Sequence, residues 1–191
     1  NNTKESFLFL INKLKKNINL KQTYRVLDIG CANGELIYNL EKNFKNLEIT
    51  GYDIRQDLLD KAKKNVSSKV KFAKKDILKL KNSNKKFDII ILCGVISIFD
   101  NYKQVLSNID KLIDKNGDIY IMSFFNPYDY DVYVKYVDVK KNKDIMQSGW
   151  NIISLASIKS YYKKKNIQIF EFNMKKRVKK NLMDDVRSWT I

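Results

Sequence analysis

The 191-residue chain is long enough for a domain with its own core, and its hydrophobic content of 44% is that of an ordinary globular protein. It contains no histidine and two cysteines, which argues against zinc sites of the Cys/His type and against mechanisms that need an imidazole. The longest apolar run, residues 89–93, is far too short to cross a bilayer, and the apolar start lacks a signal-peptide cleavage site. We therefore expect a cytosolic protein with no metal and no membrane contact.

The formal net charge of +16 raises the question of nucleic-acid binding. The 37 basic residues include only four arginines, the residue that makes most base-edge and bidentate phosphate contacts. Lysine is abundant together with asparagine and isoleucine, and the codons of all three are A/T-rich. We interpret the charge as a solvated lysine surface and disfavour nucleic acid as a partner.

Apolar spacing predicts alternating helices and strands as far as residue 125. Apolar residues three and four positions apart predict an amphipathic helix over residues 3–18. Predicted strands, short and apolar or alternating, lie at residues 24–29, 47–52, 69–73, 87–92 and 118–125. Predicted helices have apolar stripes over residues 36–44, 58–66 and 105–113, and Asn116-Gly117 is a predicted turn. This alternation predicts an α/β fold with a doubly wound, mainly parallel sheet and helices on both faces.

The pattern changes after residue 125. Residues 126–150 are polar, aromatic and irregular, and a helix follows over residues 154–165, with Ser154 as its cap. Residues 167–172 alternate as a half-exposed strand. Residues 187–191 resemble the start of another strand, so we expect the natural chain to continue past its last residue.

No linker or repeat divides the chain, which predicts one domain over residues 1–191. Its parts are an N-terminal helix (1–20), a cofactor-binding core (24–125) and a substrate-side segment with C-terminal strands (126–191). The sequence does not indicate an oligomeric state.

The segment from Asp28 to Gly34 is the first candidate binding site. It joins an apolar strand to a helix, and ligands of open α/β sheets bind at the carboxyl ends of strands. A dinucleotide fingerprint has G-x-G-x-x-G and a helix start open to a pyrophosphate. Here the order is Gly30-x-Ala32-x-Gly34, and the Asp28 carboxylate suits an ammonium group better than a pyrophosphate. Spacing alone leaves a nicotinamide site, an S-adenosylmethionine site and a plain tight turn open.

Residues 26–36, Val-Leu-Asp-Ile-Gly-Cys-Ala-Asn-Gly-Glu-Leu, closely resemble the first motif of class I S-adenosylmethionine-dependent methyltransferases. The family pattern is D/E-x-G-x-G-x-G, from which the chain departs at Ala32. The resemblance covers residues 24 to about 125 and implies a Rossmann-like, seven-stranded sheet. It also implies S-adenosylmethionine as methyl donor and S-adenosylhomocysteine as product. The implied cofactor-binding residues are Asp28, Gly30, Cys31, Ala32, Gly34, Asp53, Ile54, Asp76, Ile77, Cys93 and Gly94.

The resemblance also implies roles for three strand ends. Asp53, 25 residues after Asp28, would accept hydrogen bonds from both ribose hydroxyls. Asp76 would accept a hydrogen bond from the adenine amino group, and the backbone of Ile77 would contact the adenine ring. Cys93-Gly94 would lie against the methionine part. The alternative for Asp53 is a helix cap, and the alternative for Asp76 is a helix cap or an exposed loop acid.

The family's sheet order places the first and fourth strands side by side. This implies that Cys31 and Cys93 line the same pocket, and a cytosolic location predicts that both are free thiols.

The sequence assigns no catalytic residue. Methyl transfer from a sulfonium depends largely on alignment, and a base is needed only where the acceptor must lose a proton. Without histidine that base would be Asp or Tyr, and the candidates after the fifth strand are Tyr128, Asp129 and Asp131. Asn126-Pro127-Tyr128 is similar to the N-P-P-Y loop of nitrogen-modifying methyltransferases. That loop follows the fourth strand, so the motif does not transfer.

Residues 122–134, 149–152 and 186–191 resemble a bacterial subfamily of small-molecule methyltransferases associated with surface-polysaccharide biosynthesis. This resemblance implies a sugar, nucleotide-linked or phosphorus-containing acceptor. The leading hypothesis is O- or N-methylation of a small molecule. The alternatives are an RNA or protein methyltransferase, a nicotinamide-dependent oxidoreductase, and a methyltransferase-like subunit without chemistry.

Overall fold

A computed structural model describes residues 3–80, 85–138 and 145–173. The chain divides into two compact units, one formed by residues 1–17 and 169–191 and the other by residues 18–168. The strand predicted at residues 187–191 lies outside the described residues.

The first unit contains helix α1, Glu5–Asn17, as predicted from the apolar spacing. Its Phe9 ring lies 5.1 Å from the ring of Phe172, and Lys13 Nζ lies 3.4 Å from the centre of the Phe170 ring. The prediction of a strand over residues 167–172 is wrong, because these residues are irregular. Phe170 and Phe172 contact side chains of α1, and the described residues supply no neighbouring strand for this segment.

The second unit is built on a parallel five-stranded sheet with the order β3-β2-β1-β4-β5. The strands are β1 Tyr24–Ile29, β2 Leu47–Asp53, β3 Lys71–Lys74, β4 Phe87–Cys93 and β5 Ile113–Met122. The flanking helices are α2 Glu35–Asn43, α3 Gln56–Asn65 and α4 Tyr102–Asp110, with single 3₁₀ turns at Ile77–Lys79 and Ile96–Ile98. The predicted α/β class and parallel sheet are confirmed, and the five strands follow one another along the chain in the predicted order.

The sheet has five of the seven strands that the resemblance implies, and four further short strands of the described residues pair in two separate two-stranded sheets. Short strands β6 (Phe125–Asn126) and β9 (Ile153–Ser154) are parallel partners, and β7 (Lys135–Val137) pairs antiparallel with β8 (Met146–Ser148). Helix α5, Leu155–Tyr161, follows β9. Ser154 caps it as predicted, because its side chain accepts a hydrogen bond from the Ser157 amide at 3.0 Å.

The boundary between α4 and β5 differs from the prediction. The helix ends at Asp110, and Ile113 pairs with Phe87 as the first residue of β5 instead of completing the helix stripe. The next strand pairs join Ile89 to Asp118, so several residues of β5 lie opposite one residue of β4. The predicted turn at Asn116-Gly117 is therefore an irregularity within the strand.

The sheet places the site at one edge. Strands β1 and β4 are neighbours and are almost wholly buried, as central strands of a parallel sheet should be. The order of the strands reverses between them, and the crevice at such a switch point is where open α/β sheets bind ligands. The segments that follow β1, β2, β4 and β5 meet at this edge.

Candidate cofactor and acceptor site

The turn after β1 is tightly bonded to the end of β2. The amides of Gly30 and Cys31 both donate to the carbonyl oxygen of Tyr52, at 2.7 and 3.1 Å. Gly30 has a φ of +73°, and a Cβ there would lie 2.4 Å from a methyl group of Val95. A side chain at this position would thus combine an unfavourable backbone conformation with a clash.

Ala32 has a φ of +47°, which is unusual for a residue other than glycine. The family pattern has glycine here, and the strain of an L-residue in this conformation is about 1–2 kcal/mol. The conformation is held by a hydrogen bond from the Ala32 amide to Asp53 Oδ2 at 2.9 Å.

Asp53 lies at the end of β2, as predicted. Its Oδ1 accepts the amide of Arg55 at 2.9 Å. The N-cap residue of helix α3 is Arg55. Asp53 is therefore not the helix cap that the alternative hypothesis predicted. Each carboxylate oxygen can accept more than one hydrogen bond, so Asp53 can bind ribose hydroxyls and the turn together. The next side chain, Ile54, is 59% exposed and provides apolar surface beside it.

Asp28 is the buried acid of the site. It is 2% exposed, and its Oδ2 has no hydrogen-bond partner among the described residues. Burial, with a smaller contribution from the charge of Asp53, raises the pKa of Asp28 to about 8. A buried carboxyl oxygen without a partner is costly in a folded protein and often indicates a functional site. An ammonium group such as that of S-adenosylmethionine would supply the missing partner, so the residues present fit this cofactor.

Asp76 follows β3 by two residues and caps a 3₁₀ turn. Its Oδ1 accepts the amide of Leu78 at 2.9 Å, as the helix-cap alternative predicted. The side chain of Ile77 is buried, and its carbonyl oxygen accepts a hydrogen bond from Asn108 at 2.7 Å. Contact of Asp76 and Ile77 with adenine stays a prediction.

Gly94 follows β4 and faces open space. Its φ is +72°, its amide donates to the carbonyl oxygen of Met122 at 2.8 Å, and a Cβ built on it would meet no atom within 4 Å. Room for a ligand therefore exists at the position where the resemblance places the methionine part.

The two cysteines lie at or just after the ends of neighbouring strands, and each sulfur atom has its own neighbours. Strands β1 and β4 are neighbours, but the Sγ of Cys31 lies 2.8 Å from the position of a Cβ built on Gly51 of β2. Cys93 Sγ instead lies 3.8 Å from the sulfur of Met122 on β5. Whether both thiols line one pocket stays a prediction, because these contacts give the neighbours of each sulfur atom and not the ligand site. Neither cysteine forms a disulfide.

Two serine hydroxyls that sequence reasoning missed meet beyond β4 and β5. Ser97 Oγ and Ser123 Oγ are 2.5 Å apart, and Ser97 is 2% exposed. The Ser97 carbonyl oxygen also accepts the amide of Asn151 at 2.7 Å. No sequence motif marks these contacts. The fold brings Ser97 next to Ser123, 26 positions further along the chain, and next to Asn151, 54 positions further along.

Asp100 joins the hairpin β7–β8 to the segment after β4. It accepts hydrogen bonds from Lys135, from Ser148 at 2.6 Å and from Asn151 at 3.0 Å. These bonds, that of Lys135 first, lower the pKa of Asp100 to about 2. Asp100 is therefore ionised at neutral pH and holds the hairpin to the segment after β4.

Asp131, a candidate base, is committed to the start of α5. Its carboxylate accepts the Ser154 amide at 2.6 Å, the Ser157 hydroxyl at 3.0 Å and the Tyr102 hydroxyl at 3.4 Å. Partial burial raises the pKa of Asp131, but the hydrogen bonds from Ser154 and Ser157 outweigh it and hold the pKa below its ordinary value. These contacts do not favour a catalytic base.

Tyr128 and Asp129, the other candidates, are exposed in the segment after β5. The Asn126 side chain, which the N-P-P-Y reading would have made functional, bonds to the backbone of this same segment. Asn126-Pro127-Tyr128 follows the fifth strand and not the fourth, as the sequence predicted, so it does not occupy the position of the N-P-P-Y loop.

The described residues contain no cluster of His, Cys, Asp or Glu that could hold a metal ion. Among the helices of the described residues, none combines the length and the hydropathy that a bilayer crossing needs.

Comparison with known proteins gives a family match. The model of the methyltransferase domain family matches residues 20–181. The malonyl-[acyl-carrier protein] O-methyltransferase of Halalkalibacterium halodurans is 33% identical over 107 residues, 53% of this chain and 39% of that protein. The ubiquinone biosynthesis O-methyltransferase of Rickettsia bellii is 30% identical over 121 residues, 62% of this chain and 49% of that protein. The chain thus spans about half or less of the length of these curated relatives.

Solved structures show the same fold. Coclaurine N-methyltransferase bound to N-methylheliamine and S-adenosylhomocysteine superposes with a TM-score of 0.65 at 16% identity, covering 83% of this chain and 48% of its own. The plantazolicin methyltransferase BpumL, in complex with a triazolic substrate analogue and S-adenosylhomocysteine, gives 0.54 at 23% identity, covering 63% of this chain and 46% of its own. None of these findings supports a link to polysaccharide biosynthesis. With the fold, the site and the family match in agreement, the chain belongs to the methyltransferase domain family of class I, S-adenosylmethionine-dependent methyltransferases.

Proposed function

We propose that this protein transfers a methyl group from S-adenosylmethionine to a small-molecule acceptor. The observation that carries the proposal is the buried carboxyl of Asp28, whose Oδ2 has no hydrogen-bond partner among the described residues, beside the turn that Asp53 holds. Together they offer an acceptor for an ammonium group and an acceptor for ribose hydroxyls at adjacent strand ends. Relatives named for O-methylation of a malonyl carrier and for ubiquinone biosynthesis support a small-molecule acceptor.

The cofactor supplies an electrophilic methyl on a sulfonium, so the protein's main task is alignment of the acceptor with it. Asp28 would orient the amino end and Asp53 the ribose, while Gly94 leaves room at the end of β4. Asp100 and Asp131 are engaged in hydrogen bonds that hold the acceptor side in place. Tyr128 and Asp129 stay the candidate proton acceptors for a hydroxyl substrate.

The identity of the acceptor stays a prediction. The sequence resemblance favours a sugar, nucleotide-linked or phosphorus-containing compound, and either O- or N-methylation fits the site. The named relatives instead act in acyl-carrier and quinone chemistry. A nicotinamide-dependent oxidoreductase is disfavoured by the family match.

RNA is the second candidate acceptor, motivated by the net charge of +16 and by a tRNA U34 carboxymethyltransferase from Sulfurimonas denitrificans that is 27% identical over 124 residues. Binding to mixed RNA should be titrated against salt, because phosphate contacts require a steep fall of log K with log salt. Absence of binding at ~50 mM salt would remove this candidate.

The direct test is transfer of a radiolabelled methyl group from S-adenosylmethionine to pools of small molecules, RNA and protein. We expect label in a small-molecule pool with the wild-type protein and much less with Asp53→Ala. Label only in RNA or protein would overturn the proposed acceptor class. Label in no pool, from protein that binds no S-adenosylhomocysteine, would overturn the proposed activity.

A further inference from the structure

Two tyrosines after β5 form an exposed pair of rings. The ring centroids of Tyr128 and Tyr130 are 6.1 Å apart, and the ring planes are within 7° of parallel. Tyr128 is 66% exposed and Tyr130 is 58% exposed, so both leave planar apolar surface open to solvent. Most tyrosines bury the body of the ring and leave the hydroxyl in water, so this arrangement is unusual.

A buried amide fixes the backbone of this pair. Asn126 is 8% exposed, and its Oδ1 accepts the amide of Tyr128 at 3.1 Å. Its Nδ2 donates to the carbonyl oxygen of Tyr130 at 2.8 Å. The following residue, Asp131, accepts the Ser154 amide at 2.6 Å. The rings are therefore presented from an anchored segment, which lowers the conformational entropy lost when a ligand stacks on them.

The pair follows directly from the edge of the sheet that carries the cofactor residues. Met122, the last residue of β5, pairs with Cys93 at the end of β4. Tyr128 is six residues further on, a span of at most about 20 Å even for extended chain. Ser123, the first residue of this connection, is hydrogen-bonded to Ser97 beyond β4.

We propose that Tyr128 and Tyr130 bind the methyl acceptor by stacking against a planar, unsaturated ring that it carries. The inference rests on the proposed function and names the substrate class of the same site. The ring would belong either to an aromatic acceptor or to the base of a nucleotide-linked one. A bare sugar fits less well, because Asn126 and Asp131 use their polar atoms within the chain and leave them less able to bind sugar hydroxyls.

The test uses the full chain saturated with S-adenosylhomocysteine and three uncharged probes, followed by ligand-observed NMR titration. The probes are p-cresol for an aromatic acceptor, uridine for a nucleotide-linked one and methyl β-D-glucopyranoside for a sugar. Lack of charge keeps the lysine surface from dominating the result. The variants are Tyr128→Ala and Tyr130→Ala, with Tyr128→Phe and Tyr130→Phe as matched controls that keep the ring.

We expect p-cresol, uridine or both to bind the wild-type protein. Each alanine variant should weaken that binding by about fivefold to tenfold, while each phenylalanine variant stays within about twofold. Response of p-cresol alone assigns an aromatic acceptor, and response of uridine alone assigns a nucleotide-linked one. The proposal is overturned if neither planar probe binds, if the alanine variants bind them as well as wild type, or if only glucoside binding depends on the rings.

Calorimetric binding of S-adenosylhomocysteine to the same samples distinguishes failure of the ring-stacking proposal from failure of the proposed function. If wild-type protein does not bind it, the proposed function fails. If all five proteins bind it equally and the planar probes ignore the loss of the rings, the ring-stacking proposal alone fails.

Discussion

The carboxylate of Asp53 accepts a hydrogen bond from the backbone amide of Ala32 at 2.9 Å. The residue predicted to bind the ribose therefore also holds the turn after β1 in shape. This bond joins two residues that are 21 positions apart in sequence and ties the turn after β1 to the end of β2.

The first prediction concerns Asp53. Replacement by alanine removes the ribose acceptor and releases the Ala32 amide, so affinity for S-adenosylhomocysteine should fall by roughly 1–3 kcal/mol, the scale of hydrogen bonds to a charged group. Isothermal titration measures the loss. Asp57→Ala is the matched control, because Asp57 is exposed and paired with Arg55. Wild-type affinity in Asp53→Ala would show that the ribose assignment is wrong.

The second prediction concerns the pH dependence conferred by Asp28. Its pKa is raised from 3.8 to about 8 in the folded protein, so between these values the folded state retains a proton that the unfolded state has lost. Its contribution to stability is therefore greatest below about pH 4 and is lost as the pH rises toward about 8. Urea unfolding near pH 5 and pH 8 should show a larger fall for wild type than for Asp28→Asn. An equal fall in the free energy of unfolding of the two proteins would contradict the raised pKa of Asp28.

The third prediction concerns the strained Ala32. Ala32→Gly relieves a positive φ but adds freedom to the unfolded chain, so we expect the free energy of unfolding to stay equal or to rise by up to about 1 kcal/mol. Denaturant unfolding measures it. Ala156→Gly, in helix α5, is the control and should lose about 1 kcal/mol. A loss of similar size in Ala32→Gly would show that Ala32 is not strained.

The fourth prediction separates an anchor from a base at Asp131. Asp131→Ala leaves the Ser154 amide and the Ser157 hydroxyl without their acceptor, so stability should fall by roughly 1–3 kcal/mol. The exposed Asp129→Ala should change stability little. If Asp131→Ala unfolds like wild type yet loses methyl transfer with a shifted pH profile, Asp131 is the base after all.

The sequence predicts the parts of this fold that depend on local periodicity. Apolar spacing predicts the buried strands β1 and β4 and the apolar stripe of α2. The predicted strand ends in turn place Asp28 and Asp53 at one edge of the sheet. Positions set by distant contacts were not predictable. Ile113 pairs with Phe87 across the sheet instead of extending α4, because burial in the sheet overrides its helical spacing.

The residues beyond β4 and β5, where we propose that the acceptor binds, were the least predictable part of the candidate site. Ser97 and Ser123 meet only because β4 and β5 are neighbours, and nothing in either local sequence indicates the contact. The sequence makes Asp131 a candidate base. Only the fold shows that its carboxylate accepts a hydrogen bond from Ser154 at the start of α5. Residues 167–172 alternate like a strand but have no strand partner among the described residues, and alternation alone does not make a sheet.

Calorimetric titration of the full chain with S-adenosylhomocysteine, and separately with NAD, shows which cofactor the site binds. We expect saturable binding of S-adenosylhomocysteine at one site per chain, weakened in Asp53→Ala, and no binding of NAD. Tight binding of NAD with no binding of S-adenosylhomocysteine would contradict it.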